Sequence, residues 1–246
     1  MVVHSWGTFV YCPPECVQGT AITLPQDEAH HLRHVLRMRD GQTVNATTGT
    51  GMVYRCSIQD ELHLQIEETL PEFGETPTKV SLAVGILKGD GNRDIADLAT
   101  QLGAHRILFV HAARSEGQIS ENKLDRLKRA AISAIKQCGR ARLPEIQVFP
   151  SVRQMLSRRA QNEIFLLAQQ SHDDDFRPVI FPEIRSGSEI VICVGPEGGF
   201  DEDEIKSLEE ANARRVSLAG RRLRTSVAAG AALSYCLGLI GEARGE

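Results

Sequence analysis

The sequence predicts an α/β protein in two parts, a small β-barrel or sandwich followed by a larger domain built on a parallel sheet. Two patterns predict this. Residues 42–66 alternate apolar and polar side chains at hairpin spacing, whereas from Lys79 onward continuous apolar runs interleave with helical patterns. Alternation with period two marks strands buried on one face, and uninterrupted apolar strands separated by helices mark a parallel sheet covered on both faces. Length agrees, since 246 residues hold a β domain of about seventy residues and one α/β domain.

Taken in order, Gln26 to Met38 reads as a short helix, with Asp27 and Glu28 in its first turn and Arg37 and Arg39 at its end, as the helix dipole favours. The chain then turns at Asp40-Gly41. Strands follow at 42–47, 52–58 and 62–66, the first two separated by the Gly49-Thr50-Gly51 turn. Residues 71–77, with Pro71, Gly74 and Pro77, read as a linker. Beyond it the pattern predicts strands at 80–87, 106–110, 145–148, 164–168, 189–194 and 215–218. Helices are predicted at 94–102, 122–138, 152–159, 201–211 and 225–240. In such sheets ligands bind beyond the carboxyl ends of the strands.

Bulk composition excludes several classes. Hydrophobic residues at 41% and charged residues at 24% are those of an ordinary globular chain. The first residues carry no basic start followed by an apolar stretch, which predicts a cytoplasmic protein. The longest run of small apolar residues, 227–241, falls short of the roughly 20 needed to span a bilayer, so no membrane partner is expected. Six scattered cysteines predict reduced thiols. Cys12 and Cys16 have the spacing of half a zinc site, but no second Cys/His pair accompanies them, and no metal is expected. The net charge of −4 argues weakly against a protein that coats nucleic acid.

The residues with the strongest chemical signal follow the apolar strand at 189–194. Gly195-Pro196-Glu197-Gly198-Gly199-Phe200 leads into Asp201-Glu202-Asp203-Glu204. Glycines at the end of a buried strand let backbone amides approach a ligand, and Asp201 with Glu204 forms a capping-box start. No Gly-Lys-Ser/Thr follows, so this is not a phosphate loop of the Walker type. By itself such a loop is equally well a tight turn. Ser217-Leu218-Ala219-Gly220-Arg221-Arg222-Leu223-Arg224-Thr225 is a second strand-to-loop end, followed by a helix of small apolar residues. Two such ends can form one pocket, and the small-residue helix reads as core or as a subunit contact.

Together these two segments resemble the signature of the RsmE family, which methylates N3 of a uridine in small-subunit ribosomal RNA. Further similar segments occur in the same order: His30 to Arg37, Lys88-Gly89-Asp90 with residues 98–103, and residues 134–140. The resemblance covers nearly the whole chain. It implies a PUA-like β-barrel over 1–73 and, over 74–246, a SPOUT-type α/β methyltransferase domain with a trefoil knot. It also implies S-adenosylmethionine as cofactor and a homodimer with the site at the subunit interface. Carried over by motif, cofactor contacts fall on Val194, Gly195, Glu197, Gly198, Gly199, Leu218, Ala219, Gly220, Leu223 and Arg224, with Arg224 also the candidate that stabilises the uridine anion.

Local charge then favours an RNA partner despite the acidic total, which averages in runs such as Asp173-Asp174-Asp175. Between Glu121 and Arg142 stand seven Lys or Arg against two acids, and 214–224 holds five arginines and no acid. Arg33, Arg37, Arg140, Arg142, Arg221 and Arg222 are the RNA-contact candidates, against the alternative of an ordinary solvated cationic face. The chain departs from the family at Ser226 and Val227, where the family reads Glu-Thr, at Ser133, where a glutamate is common, and near Thr8, where an arginine is usual. These departures leave two competing expectations, a SPOUT methyltransferase acting on another RNA and an RNA-binding or ribosome-assembly protein with weakened catalysis.

Overall fold

The computed structural model describes residues 7–169 and 188–241; Trp6 and the acidic run at 173–175 lie outside the described residues. The chain forms two compact units, one of residues 1–75 with 132–143 and one of 76–131 with 144–246.

The first unit is built on one six-stranded sheet. Its strands are β1 (Phe9–Tyr11), β2 (Val17–Gln18), β3 (Ala21–Thr23), β4 (Thr43–Thr47), β5 (Met52–Ile58) and β6 (His63–Pro71), in the order β1-β4-β5-β6-β3-β2. Neighbours are antiparallel except β1 and β4. In β5 a bulge between Arg55 and Cys56 shifts the alternation, so that Val53, Cys56 and Ile58 are the buried residues; one extra residue on a strand reverses which side chains face the core. The core of this unit gathers Val10, Ile22, Val44, Ala46, Ile58 and Leu64 with Ala29 and Leu32. Ala29 lies on α1 (Gln26–His30), and Leu32 on the π-helical turn His31–Val35 that continues it. The helix predicted over 26–38 is thus a short α-helix with a π turn, ended by Arg37 at φ 56°. The linker predicted over 71–77 is instead partly strand and partly turn, with Glu75 N donating to Glu72 O at 3.1 Å.

The second unit carries a six-stranded, wholly parallel sheet. Its strands are β7 (Lys79–Gly85), β8 (Arg106–Val110), β9 (Glu145–Phe149), β10 (Glu163–Ala168), β11 (Glu189–Val194) and β12 (Arg214–Val216), ordered β12-β10-β11-β7-β8-β9. The helices of the chain beyond residue 76 are α2 (Gly91–Gln101), α3 (Glu121–Cys138), whose residues from 132 on belong to the first unit, α4 (Val152–Ser157), α5 (Glu202–Glu210) and α6 (Thr225–Leu239). Alternate residues of the strands feed two cores. Leu82, Val84, Phe109 and Ile192 pack with Ile95 and Ala99 of α2 and Ala229 and Leu233 of α6. On the other face Ala83, Leu108, Val191 and Cys193 pack with Met155 of α4 and Leu208 of α5. Both faces being covered explains why the strands read as unbroken apolar runs.

Polar groups close the amino ends of the central strands. Arg106 Nη2 lies 2.6 Å from both Glu163 and Glu189, and Ser81 Oγ donates to Glu189 Oε1 at 2.8 Å. These side chains are largely buried, and the pairing offsets the cost of desolvating them. At the opposite, carboxyl ends, the last residues of β10 and β11, Ala168 and Val194, line a cavity.

Candidate active site

The chain runs outward from β7 through β8 to β9, and the other half of the sheet, led by β11, lies on the opposite side of β7. A crevice beyond the carboxyl ends follows from such a reversal. A cavity of about 760 Å³ occupies that place, within the second unit. Leu87 follows β7, Ala168 ends β10 and Gln169 follows it, and Val194 ends β11 with Gly195 to Gly199 continuing the chain. Strand β12 stops at Val216, short of the predicted 218, so Ser217 to Arg224 form a loop that supplies Leu218, Ala219, Leu223 and Arg224. The wall is completed by Lys88, Gly91 and Asp94 on one side and Thr225, Ser226 and Ala228 on the other.

The glycine loop is shaped by close approach. A Cβ on Gly195 would lie 2.8 Å from Phe200 N and 2.9 Å from Gly199 Cα, so the turn folds back on itself only with glycine there. Gly199 has φ +73°, the left-handed region. Gly199 N donates to Pro196 O at 2.8 Å, and the Glu197 carbonyl accepts from Arg222 Nη2 at 3.3 Å. Lys88 N donates to Glu197 Oε1 at 3.5 Å, joining the β7 and β11 ends. Behind the loop the predicted capping box is complete, with Glu204 N donating to Asp201 Oδ1 at 2.8 Å and Asp201 N to Glu204 Oε2 at 2.9 Å.

Every sequence-predicted cofactor residue except Gly220 lines this one cavity, as do Arg221 and Arg222. Arg224 is the N-cap of α6 and exposed. The donor set fits a nucleoside-containing cofactor. Glycine backbone offers amides at close range, Leu87, Leu218 and Leu223 give apolar walls, and the volume is that of a small-molecule site.

The arginines predicted for RNA fare unequally. Arg140 is 3% exposed and its Nη2 donates to Glu75 Oε2 at 2.7 Å, while Arg142 N and Arg140 Nε donate to Glu75 Oε1 at 2.8 and 3.2 Å. Its guanidinium therefore faces a carboxylate inside the first unit and not solvent, which corrects the expectation that it contacts RNA. Arg142 Nε donates to Glu72 Oε2 at 2.7 Å and remains partly exposed, and Lys136 Nζ donates to the buried Glu28 at 2.5 Å. Arg33 pairs with Asp40 and donates to Met38 O at 3.0 Å. Arg37 is exposed. Of the departures, Ser226 lies on the cavity wall, Val227 and Ser133 are exposed, and Thr8 accepts a backbone bond from Asn45 at 2.9 Å. Among the described residues there is no group of three or more His, Cys, Asp or Glu placed to hold a metal, and no helix long and apolar enough to cross a membrane.

Sequence reasoning missed Lys88, Asp94 and Gln169 as cavity residues. Lys88-Gly89-Asp90 was visible as a motif, but which side chains of the β7 and β10 ends face β11 is set by strand order.

Comparison with known proteins gives matching results. An RNA methyltransferase domain family matches residues 74–237, and an RNA methyltransferase PUA domain family matches residues 24–68. The ribosomal RNA small subunit methyltransferase E of Bacillus subtilis is 30% identical over 229 residues, covering 88% of this chain and 90% of its own. The protein of the same name from Synechocystis is 30% identical and covers 94% of this chain and 77% of its own. The crystal structure of a ribosomal RNA small subunit methyltransferase E from Neisseria gonorrhoeae bound to S-adenosylmethionine superposes with a TM-score of 0.80. It is 26% identical and covers 95% of this chain and 98% of that one.

Proposed function

The chain belongs to the ribosomal RNA small subunit methyltransferase E family, and we propose that it transfers a methyl group from S-adenosylmethionine to N3 of a uridine in small-subunit ribosomal RNA. The observation that carries this is the convergence of two separate strand-to-loop segments, 194–199 and 218–224, on one cavity at the carboxyl ends of β10, β11 and β12.

S-adenosylmethionine, when bound, supplies an electrophilic methyl. The protein's part is positioning and electrostatics. The backbone of Gly195, Gly198 and Gly199 would hold the adenosine against Leu218 and Leu223, with Val194, Glu197 and Ala219 completing that shell. The acceptor nitrogen lies on the pairing edge of uracil, so the base must be unpaired or flipped out to reach the cavity. Once the imide proton is lost, the exposed guanidinium of Arg224 would stabilise the negative charge on the base. Arg221 and Arg222 at the cavity, and Arg33, Arg37 and Arg142 on the first unit, are proposed to meet RNA phosphates. The reading includes the division into a PUA-like domain over 1–73 and a knotted SPOUT domain over 74–246, a homodimer and a cytoplasmic location. The exposed, small-residue face of α6, with Val227 and Ser234, suits a subunit contact.

Incubation with labelled S-adenosylmethionine and small-subunit RNA lacking the modification tests this, N3-methyluridine being the expected product. Ser226 on the cavity wall, where the family carries a glutamate, favours a second reading in which another RNA is the acceptor. Label in a different nucleotide of total RNA would establish that reading and sink the first.

A further inference from the structure

The geometry points to Arg114 as a positioning residue for the methyl donor, acting through the glycine loop; the inference rests on the cofactor site proposed above. Residues 113–117, between β8 and α3, reach both lips of the cavity. On one lip Arg114 Nη1 donates to Gly198 O at 2.9 Å, and a Cβ on Gly198 would lie 3.0 Å from that of Arg114, so stem and guanidinium both rest on the loop. Beside it Ala113 N donates at 2.9 Å to Oε1 of Glu204, whose other oxygen closes the capping box. On the other lip Lys88 Nζ meets Glu116 Oε2 at 3.2 Å, and a Cβ on Gly117 would fall 2.1 Å from Leu87 O. The segment therefore straps the β7 end to the β11 end.

The consequence lies in the peptide planes. Three successive carbonyls of the loop each have a separate partner: Pro196 O takes Gly199 N, Glu197 O takes Arg222, and Gly198 O takes Arg114. Orienting a carbonyl orients the amide on the other side of the same peptide: by holding Gly198 O, Arg114 fixes the plane whose Gly199 N–H closes the turn on Pro196 O, and that turn sets the loop backbone along the cavity. A charge-assisted bond from a planar guanidinium holds such a plane more tightly than a neutral donor. A plane left free to move must be ordered again when the cofactor binds, which weakens cofactor affinity.

Calorimetric titration of S-adenosylmethionine into the wild-type protein and Arg114→Ala, with steady-state kinetics on small-subunit RNA, tests this. Kd and KM for S-adenosylmethionine should rise about tenfold, while KM for RNA and kcat at saturating cofactor stay within about twofold. A merely structural role would lower Tm and the active fraction and leave the cofactor KM unmoved. An unchanged Kd in a folded variant overturns the inference and leaves the cofactor site standing; a wild-type protein that binds no S-adenosylmethionine removes the site itself and the inference with it. If Arg114→Ala does not fold, Arg114→Lys, which retains the stem on Gly198 and loses the planar fork, gives the same comparison.

Discussion

Two arginines that look alike in the sequence have opposite surroundings. Arg140 is buried against Glu75 and Arg224 is exposed on the cavity wall. Removing one member of a buried pair leaves an uncompensated charge in a poorly solvated place, which costs about 3–5 kcal/mol. Arg140→Ala should therefore unfold at markedly lower denaturant, and the salt dependence of RNA affinity should not change; a shallower salt slope at unchanged stability would return Arg140 to the RNA surface. For Arg224→Ala the reverse is expected. Stability should stay close to wild type, since an exposed side chain is lost, while kcat should fall about 10²-fold, the usual effect of removing one donor that faces developing negative charge. Single-turnover kinetics at saturating cofactor check this. Sequence could not separate the two because the neutralising acids, Glu28, Glu72 and Glu75, lie far along the chain from Lys136, Arg142 and Arg140. A charge count over 121–142 sees the cations without their partners.

Elements were legible where periodicity and end signals agree. The strand at 189–194, the helix ending before Gly139 and the capping box at Asp201 are all found as read. Asp201→Ala should lower stability by about 1 kcal/mol, the worth of an N-cap. It should also raise the cofactor Kd, because the box anchors the turn that follows Gly199. Equilibrium denaturation and titration on the same sample check both effects. Short elements were missed: β2 and β3 have two and three residues, too few for any period to register, and they exist because β6 offers β3 a partner edge. The π turn after His30, which carries the buried Leu32, and the left-handed Arg37 had no signal either.

At the scale of the whole molecule the cores bury thiols as ordinary apolar groups. Burial pushes Cys12, Cys56, Cys193 and Cys236 each up to about 12. An unfolded thiol ionises near 9, so above that pH the unfolded chain has released protons that the folded chain retains. Stability is then full below about pH 9 and falls as pH rises toward 12. Alkaline titration of Tm should show this loss, and replacing Cys193 and Cys236 by Ala or Val should reduce it; a curve unaltered by those substitutions would assign the loss to other groups. By itself the sequence determined the two-part α/β architecture, the parallel sheet and both cavity loops. These follow from apolar period and from glycine placement, which are local properties of the chain. Only the tertiary structure decided which residues join those loops around the cavity, that 113–117 straps its two lips, and which cations are already neutralised. Strand order and ion pairing bring together groups separated by tens of residues, and no local pattern carries that distance.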